Sequence, residues 1–193
     1  MQLTTRFVHI NLDSLTHTIS ESNTEKLMKM NPLDRPPDLV LDIMNQAKTD
    51  TNHIVFVSMP GDEPDEWHGH LYVWNTRTGH RQYNTFGSPF AEAFHRAGFD
   101  YILISGKAKE PVYIYMSDML LLFENPNIIS GVEPAKAIDE LLSKHEWINP
   151  QVILPDNEGS LNFGPGMLQV PGLGEDFRAK NLWAIVVDGT GLP

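Results

Sequence analysis

The chain has 193 residues, of which 41% are hydrophobic and 20% are charged, and its formal net charge is −11. A chain of this length and composition can bury a real core as one globular domain, or as one domain with a large insertion, so a disordered chain is not the default expectation. The acidic balance argues against a nonspecific nucleic-acid binder and against docking on anionic membranes, because both need basic surface.

The first third of the sequence predicts short strands separated by turns. Residues 6–12 alternate between apolar and polar side chains, as in a half-buried strand, and a second short strand is expected near 15–19. Three prolines between 31 and 37 break the chain, and Pro37 can open a helix that continues to Met44. Residues 53–58 form a short apolar run, which indicates a central strand.

The middle of the chain predicts one helix among further strands. Ser88 and Pro89 favour a helix start, and Gly98 can end that helix because glycine readily adopts the left-handed conformation. Strands are expected at 69–75, 82–86, 101–104 and 112–115.

A lysine-bearing turn at 106–111 joins the last two of these strands, which we interpret as a strand pair. Lys107 and Lys109 could receive a phosphate. No phosphate-loop pattern accompanies them, so solvation and turn geometry are the favoured explanation.

The last third adds an amphipathic helix at 133–146, with Ile138, Leu141, Leu142 and His145 facing inward. Strands are expected at 151–154, 161–163 and 182–187, with a loop rich in glycine and proline at 164–174. The sequence shows no internal repeat. Many short strands with about three helices indicate a single α+β domain spanning 1–193.

Two absences narrow the chemistry and the location. The chain has no cysteine, so it cannot form a disulfide, a thiolate nucleophile or a cysteine-ligated iron–sulfur cluster by itself. It also lacks a long apolar stretch and a secretory signal, so we expect a cytoplasmic protein without a membrane span.

One cluster resembles a set of metal ligands. His68 and His70 have strand spacing and point the same way, so they could share a divalent ion with Glu66, and the more distant His80 is a further candidate ligand. The alternative is a pair of partly exposed strand histidines, since no stronger metal motif accompanies them.

Three collinear blocks resemble the N-terminal domain of the tungsten-containing aldehyde ferredoxin oxidoreductases. Residues 97–115 read AGFDYILISGKAKEPVYIY, and the family reads approximately Ala-Gly-Tyr-Asp, an apolar strand, Gly-Lys-Ala, one more residue and Lys-Pro-Val-Tyr. Residues 6–12 (RFVHINL) resemble the family's opening strand, and residues 180–189 (KNLWAIVVDG) resemble its closing Lys-Asn-Leu block.

The resemblance implies a β-rich two-sheet, pseudo-repeated domain with about three helices, on which a tungsten or molybdenum bis-pterin lies. In the family the iron–sulfur cluster and most catalytic side chains come from later helical domains, so this chain is not expected to be active alone. The partner implied is a cysteine-containing helical subunit, or self-association. The resemblance also implies that 112–115 and 182–187 belong to one β architecture.

The cofactor loops match less well than the strands. On the resemblance, the cofactor-binding positions are Gly69, His70, Gly87, Gly172, Gly174 and Lys180. His70 replaces a phosphate-gripping arginine of the family. Glu175 and Asp176 place negative charge beside the third loop, where repulsion from an anionic pterin would reach roughly 4 kcal/mol at contact range.

Three functions stay open at this point. The first is a noncatalytic accessory domain that docks on a pterin cofactor or on a helical partner. The second is one half of a split oxidoreductase that oxidises aldehydes with ferredoxin as acceptor. The third is a small metal-binding protein using Glu66, His68 and His70.

Overall fold

The computed structural model describes residues 4–23, 52–61, 66–75, 81–118, 120–145, 149–164 and 168–191, which form two six-stranded sheets. The strands of the first sheet are β1 (Thr4–Asn11), β2 (Thr16–Asn23), β3 (His53–Pro60), β4 (Trp67–Trp74), β5 (Arg81–Phe86) and β6 (Tyr101–Ser105). The strands of the second are β7 (Val112–Ser117), β8 (Leu120–Glu124), β9 (Gln151–Pro155), β10 (Leu161–Gly164), β11 (Leu168–Val170) and β12 (Leu182–Val187). The described helices are α1 (Ser88–Arg96), α2 (Pro134–Lys144) and α3 (Gly174–Ala179), with a 3-10 turn at Pro126–Ile129.

The two sheets have the same topology. In the first sheet the order is β2-β1-β6-β3-β4-β5, and β6, which follows α1, pairs in parallel with β1. In the second sheet the order is β8-β7-β12-β9-β10-β11, and β12, which follows α3, pairs in parallel with β7. All the other pairings are antiparallel. The expected pseudo-repeated, two-sheet α+β fold is therefore confirmed.

The two sheets also share an equivalent hydrogen bond, made by an aspartate in the turn after the first strand of each sheet. The carboxylate of Asp13 accepts a hydrogen bond from the amide of Lys107 at 3.0 Å. In the second half, the carboxylate of Asp118 accepts one from the amide of Thr190 at 2.9 Å. Each aspartate lies beside the first hairpin of its sheet, and each ties that hairpin to the segment leaving the central parallel strand.

The main core lies between the sheets and contains both α1 and α3. Phe56 of β3 packs on Phe94 of α1 and on Phe177 of α3, with ring centroids 5.4 and 6.3 Å apart. Every residue of β6 is buried, as are the first six of β3, so the two strands at the centre of the first sheet are covered on both faces. The amphipathic α1 forms because its apolar positions fall on one face, and Gly98 ends it with a φ of +87°.

The outer face of the second sheet is covered by α2. Residues Ala137, Ile138 and Leu141 of this helix pack on the sheet, while His145 is buried just after the helix ends. None of the helices in the described ranges is long and apolar enough to cross a lipid bilayer.

Several sequence predictions need correction. The strands at 101–105 and 112–117 are not a hairpin, because β6 pairs with β1 and β3 whereas β7 pairs with β12 and β8 in the other sheet. The turn at 106–111 is therefore the crossover between the sheets. Strands β8 and β11 and helix α3 were not predicted, and the helix expected at 37–44 lies outside the described residues.

Candidate functional site: the β5–β11 side

Two of the predicted glycine loops lie on one side of the sandwich, which we call the β5–β11 side and define by Gly87 and the segment Gly172–Gly174. Gly87 follows β5, and Gly172 follows β11. Phe163 of β10 stacks on Phe86 with centroids 5.7 Å apart and meets Phe90 of α1 edge-on at 5.0 Å. These ring contacts hold the end of β5 against the neighbour of β11, so the structure brings the two loops to the same side.

The glycines differ in what surrounds them. A Cβ on Gly69 would lie 2.2 Å from the ring of Phe86, and one on Gly174 would lie 2.5 Å from the carbonyl oxygen of Ser160. Internal packing therefore accounts for both of these glycines. By contrast, a Cβ on Gly172 would meet nothing within 4 Å, and one on Gly87 would meet only Pro89 at 3.7 Å. Gly87 and Gly172 are the open, exposed positions of the β5–β11 side.

The two helix starts beside these loops also differ. Helix α1 has Gly87 as its N-cap, no acidic residue in its first turn and no side-chain cap. Helix α3 begins with Glu175 and Asp176, and the carboxylate of Asp176 accepts a hydrogen bond from the side-chain amide of Asn52. Two carboxylates in this turn oppose an anionic ligand, so the α3 loop does not fit a pterin phosphate.

His70 lies on the outer face of the first sheet, away from the core that Gly69 faces. It is buried, its Nδ1 lies 2.8 Å from the hydroxyl of Tyr83, and the two rings stack. Burial lowers the pKa of His70, and the neighbouring His68 lowers it further. The side chain is thus held by an internal partner.

Three of the predicted metal ligands, Glu66, His68 and His70, lie in the part of the chain that the structure describes. The Nε2 of His68 lies 3.7 Å from a carboxylate oxygen of Glu66, and both side chains are substantially exposed. Within the described ranges, no three side chains of the ligand types His, Asp and Glu come close enough to hold an ion. Residue His80 lies outside those ranges.

Lys180 is buried inside the protein, with 1% of its surface exposed. Its ammonium donates a hydrogen bond to the carbonyl of Gly106 at 2.9 Å, across the point where the chain passes between the sheets. Burial lowers the pKa of Lys180 to about 7, while the carboxylates of Asp176 and Asp13 act in the opposite direction. The structure therefore does not present Lys180 to a ligand on the surface.

Sequence reasoning missed the polar cluster that surrounds this lysine. His53, which starts β3, is 1% exposed, and none of the described residues forms a hydrogen bond with its Nδ1. Burial, Lys180 and His9 together lower the pKa of His53 to about 4. The ring of His9 lies 2.7 Å from the hydroxyl of Ser105. A histidine opening an otherwise apolar strand was the one available signal in the sequence.

Taken together, these contacts do not make the family-type grip on a pterin. His70 and Lys180 have internal partners, Gly69 and Gly174 are explained by packing, and α3 begins with carboxylates. A cofactor-binding role for the six residues stays a prediction.

Comparison with known proteins supplies the family. The model of the aldehyde ferredoxin oxidoreductase N-terminal domain matches residues 71–189. A similar solved structure is titled "Active site complex BamBC of Benzoyl Coenzyme A reductase in complex with 1,5 Dienoyl-CoA"; its TM-score is 0.75 and its identity 16%, over 96% of this chain. The chain spans only 30% of that neighbour's length. No curated protein matches the sequence. Since the family model covers more than half of its residues, the chain belongs to the aldehyde ferredoxin oxidoreductase N-terminal domain family.

Proposed function

We propose that this chain is a noncatalytic, accessory domain of an aldehyde ferredoxin oxidoreductase-type assembly. The observation that carries the proposal is the combination of the family fold with a sequence that has no cysteine. An iron–sulfur cluster in such an assembly would need thiolates from another segment or chain. The docking partner is therefore a helical segment or subunit that contains the cysteines.

The β5–β11 side is the surface that we assign to this partner. Gly87 and Gly172 are exposed and open, so a second backbone can approach them closely. At the start of α1, Pro89 has no N–H and the amide of Phe90 already donates to the carbonyl of Gly87, so the open space at the two glycines, and not free helix amides, supports a protein contact here. Because the α3 loop disfavours anions, protein contacts are better supported there than direct contacts with a pterin phosphate.

The test is affinity capture of the tagged chain from its native host, followed by identification of the captured chains. We expect a cysteine-containing chain of the same family. The substitution Gly87→Glu should abolish capture without unfolding the domain, because Gly87 has extended backbone with a φ of −71° and open space around it.

Leu122→Glu is the matched control, since Leu122 is 40% exposed on β8 at the opposite edge of the sandwich. The proposal is wrong when no such chain is captured, or when the two variants capture it equally well.

A second candidate is that the complete assembly, with this chain as one part, is a tungsten or molybdenum oxidoreductase acting on aldehydes. The structural neighbour favours it, because its title describes an active-site complex of a reductase and this chain corresponds to 30% of it. Coexpression with the captured partner should then give aldehyde-dependent dye reduction together with near-stoichiometric tungsten or molybdenum and pterin. A complex that forms without metal, pterin or activity would leave only the accessory role.

A further inference from the structure

A cleft of about 400 Å³ lies on the outer face of the second sheet, away from the β5–β11 side. It lies between the first turn of α2, the end of β9 and the segment that joins α3 to β12. Leu154 and Ala137 contribute to its apolar part, and Trp183, which is only partly buried, contributes an indole ring. The volume is within the range of small-molecule sites, which are typically about 300–1,000 Å³.

One cation in this cleft is not neutralised by direct contact. Within the described residues, the exposed guanidinium of Arg178 makes no hydrogen bond or ion pair, although Arg178 lines the cleft. Asp156 also lines the cleft, and its carboxylate accepts hydrogen bonds from the amides of Glu158 and Ser160 and from the side chain of Asn162. Burial raises the pKa of Asp156, but these hydrogen bonds and the positive charge of Arg178 outweigh it and lower the pKa overall. Asp156 therefore partly offsets the charge of Arg178 without forming an ion pair with it.

The start of α2 adds to the same electrostatic field. The helix has 11 residues, Pro134 is at its first position, and no side chain caps it. Its partial positive end therefore faces the cleft through Glu133, Pro134 and Ala137. Glu133 is exposed at the rim and opposes an anion, although the helix end itself stabilises that carboxylate.

We infer that this cleft binds a small carboxylate with an apolar or aromatic body. The carboxylate pairs with the guanidinium of Arg178, and the body lies against Trp183 and the aliphatic residues. Both parts of the ligand are needed. A carboxylate without an apolar group buries no apolar surface in the cleft, and a neutral apolar molecule gives the guanidinium no anionic partner. The site is independent of the proposed docking function.

The test uses phenylacetate as the probe at pH 7, with the complete chain, by isothermal titration and by ligand-detected NMR. Phenylacetate should bind saturably with a Kd on the order of millimolar, as expected for a fragment of this size. Its neutral amide, phenylacetamide, and the bodiless anion, acetate, should each bind at least about tenfold more weakly.

Two substitutions that are expected to change the affinity in opposite directions test whether phenylacetate binds in this cleft. Arg178→Gln should weaken binding of phenylacetate about tenfold or more, and Glu133→Gln should strengthen it about two- to threefold by removing a repulsive charge. Arg96→Gln removes a remote exposed arginine and should leave binding unchanged. Both cleft residues are exposed, so the variants are expected to fold.

The inference is overturned when phenylacetate shows no saturable binding, when phenylacetamide binds as well as phenylacetate, or when Arg178→Gln and Arg96→Gln behave alike.

Discussion

The buried lysine between the sheets makes stability depend on pH in a predictable direction. Lys180 is 1% exposed, and its ammonium is bonded to the carbonyl of Gly106. Replacing it in Lys180→Met keeps a long flexible side chain of similar shape and removes the titrating group. The variant loses one hydrogen bond at every pH, which costs about 1 kcal/mol. The titration of Lys180 is separated from this constant loss by the slope of the unfolding free energy against pH.

The sign follows from proton binding in the two states. Burial lowers the pKa of Lys180 to about 7 from its ordinary value of 10.5, so between these values the unfolded chain binds a proton that the folded chain lacks. The free energy of unfolding therefore rises with pH across this window. The lowering of the Lys180 pKa from 10.5 to about 7 corresponds to roughly 5 kcal/mol of unfolding free energy. Of this, roughly 2 kcal/mol is gained between pH 7.5 and 9.5.

Urea denaturation at pH 7.5, 8.5 and 9.5 measures this slope. The difference in unfolding free energy between wild type and Lys180→Met should change by roughly 2 kcal/mol over the series, with wild type gaining as pH rises. Lys107→Met, at an exposed lysine in the same crossover, should keep the wild-type slope. Equal slopes for wild type and Lys180→Met would show that Lys180 stays protonated throughout, and that the negative charges of Asp176 and Asp13 outweigh its burial.

Two further predictions concern the turns. Gly189→Ala should destabilise the domain by at least ~3 kcal/mol in denaturant titrations, because its Cβ would lie 2.2 Å from the backbone nitrogen of Ala97. The same change at Gly87, where a Cβ meets open space but glycine is the N-cap of α1, should cost about 1 kcal/mol or less, and comparable losses at the two positions would refute the close approach. Asp13→Ala removes the acceptor of the Lys107 amide, and Asp118→Ala removes the acceptor of the Thr190 amide, so each should cost about 1–2 kcal/mol. Their effects should add in the double variant, whereas strong coupling would contradict two independent, equivalent turns.

The sequence predicted the strands whose signal is local. Central strands such as β3 and β12 are short apolar runs, and α1 has a proline start and a glycine end. β8 was missed because its residues LLLFE do not alternate, and two of its leucines are exposed. β11 has three residues inside the glycine-rich loop and α3 has six residues that begin at its end, so both are too short for a periodic pattern to be recognised.

Pairing was harder to predict than strand position. A turn between two apolar runs is the ordinary signal of a hairpin, yet the turn at 106–111 joins strands of different sheets. The parallel partners of β6 and β7 lie far away in sequence, at β1 and β12, and no local pattern encodes them. The family resemblance implied only that 112–115 and 182–187 share one β architecture, and the structure shows that these two strands pair directly in parallel.

In the candidate site too, local positions could be predicted from the sequence, whereas contacts with other strands could not. Strand alternation correctly placed His68 and His70 on one face of β4, but Tyr83, which bonds His70, comes from a partner strand. Lys180 illustrates the limit more clearly. The resemblance made Lys180 a cofactor-binding position, whereas the structure buries its side chain against the carbonyl of Gly106, a contact between residues that are far apart in sequence.

The duplicated topology explains why that lysine is where it is. Ala97 and Lys180 are the C-caps of α1 and α3, so they occupy equivalent positions in the two halves. In the first half, Gly189 approaches the backbone of Ala97 so closely that no side chain fits. In the second, the equivalent crossover at Gly106 meets a long side chain, and its carbonyl accepts the bond from Lys180. The same junction is thus closed once by close backbone packing and once by a buried ammonium. This difference makes the second junction the one whose stability responds to pH, because the first contains no titrating group in the contact.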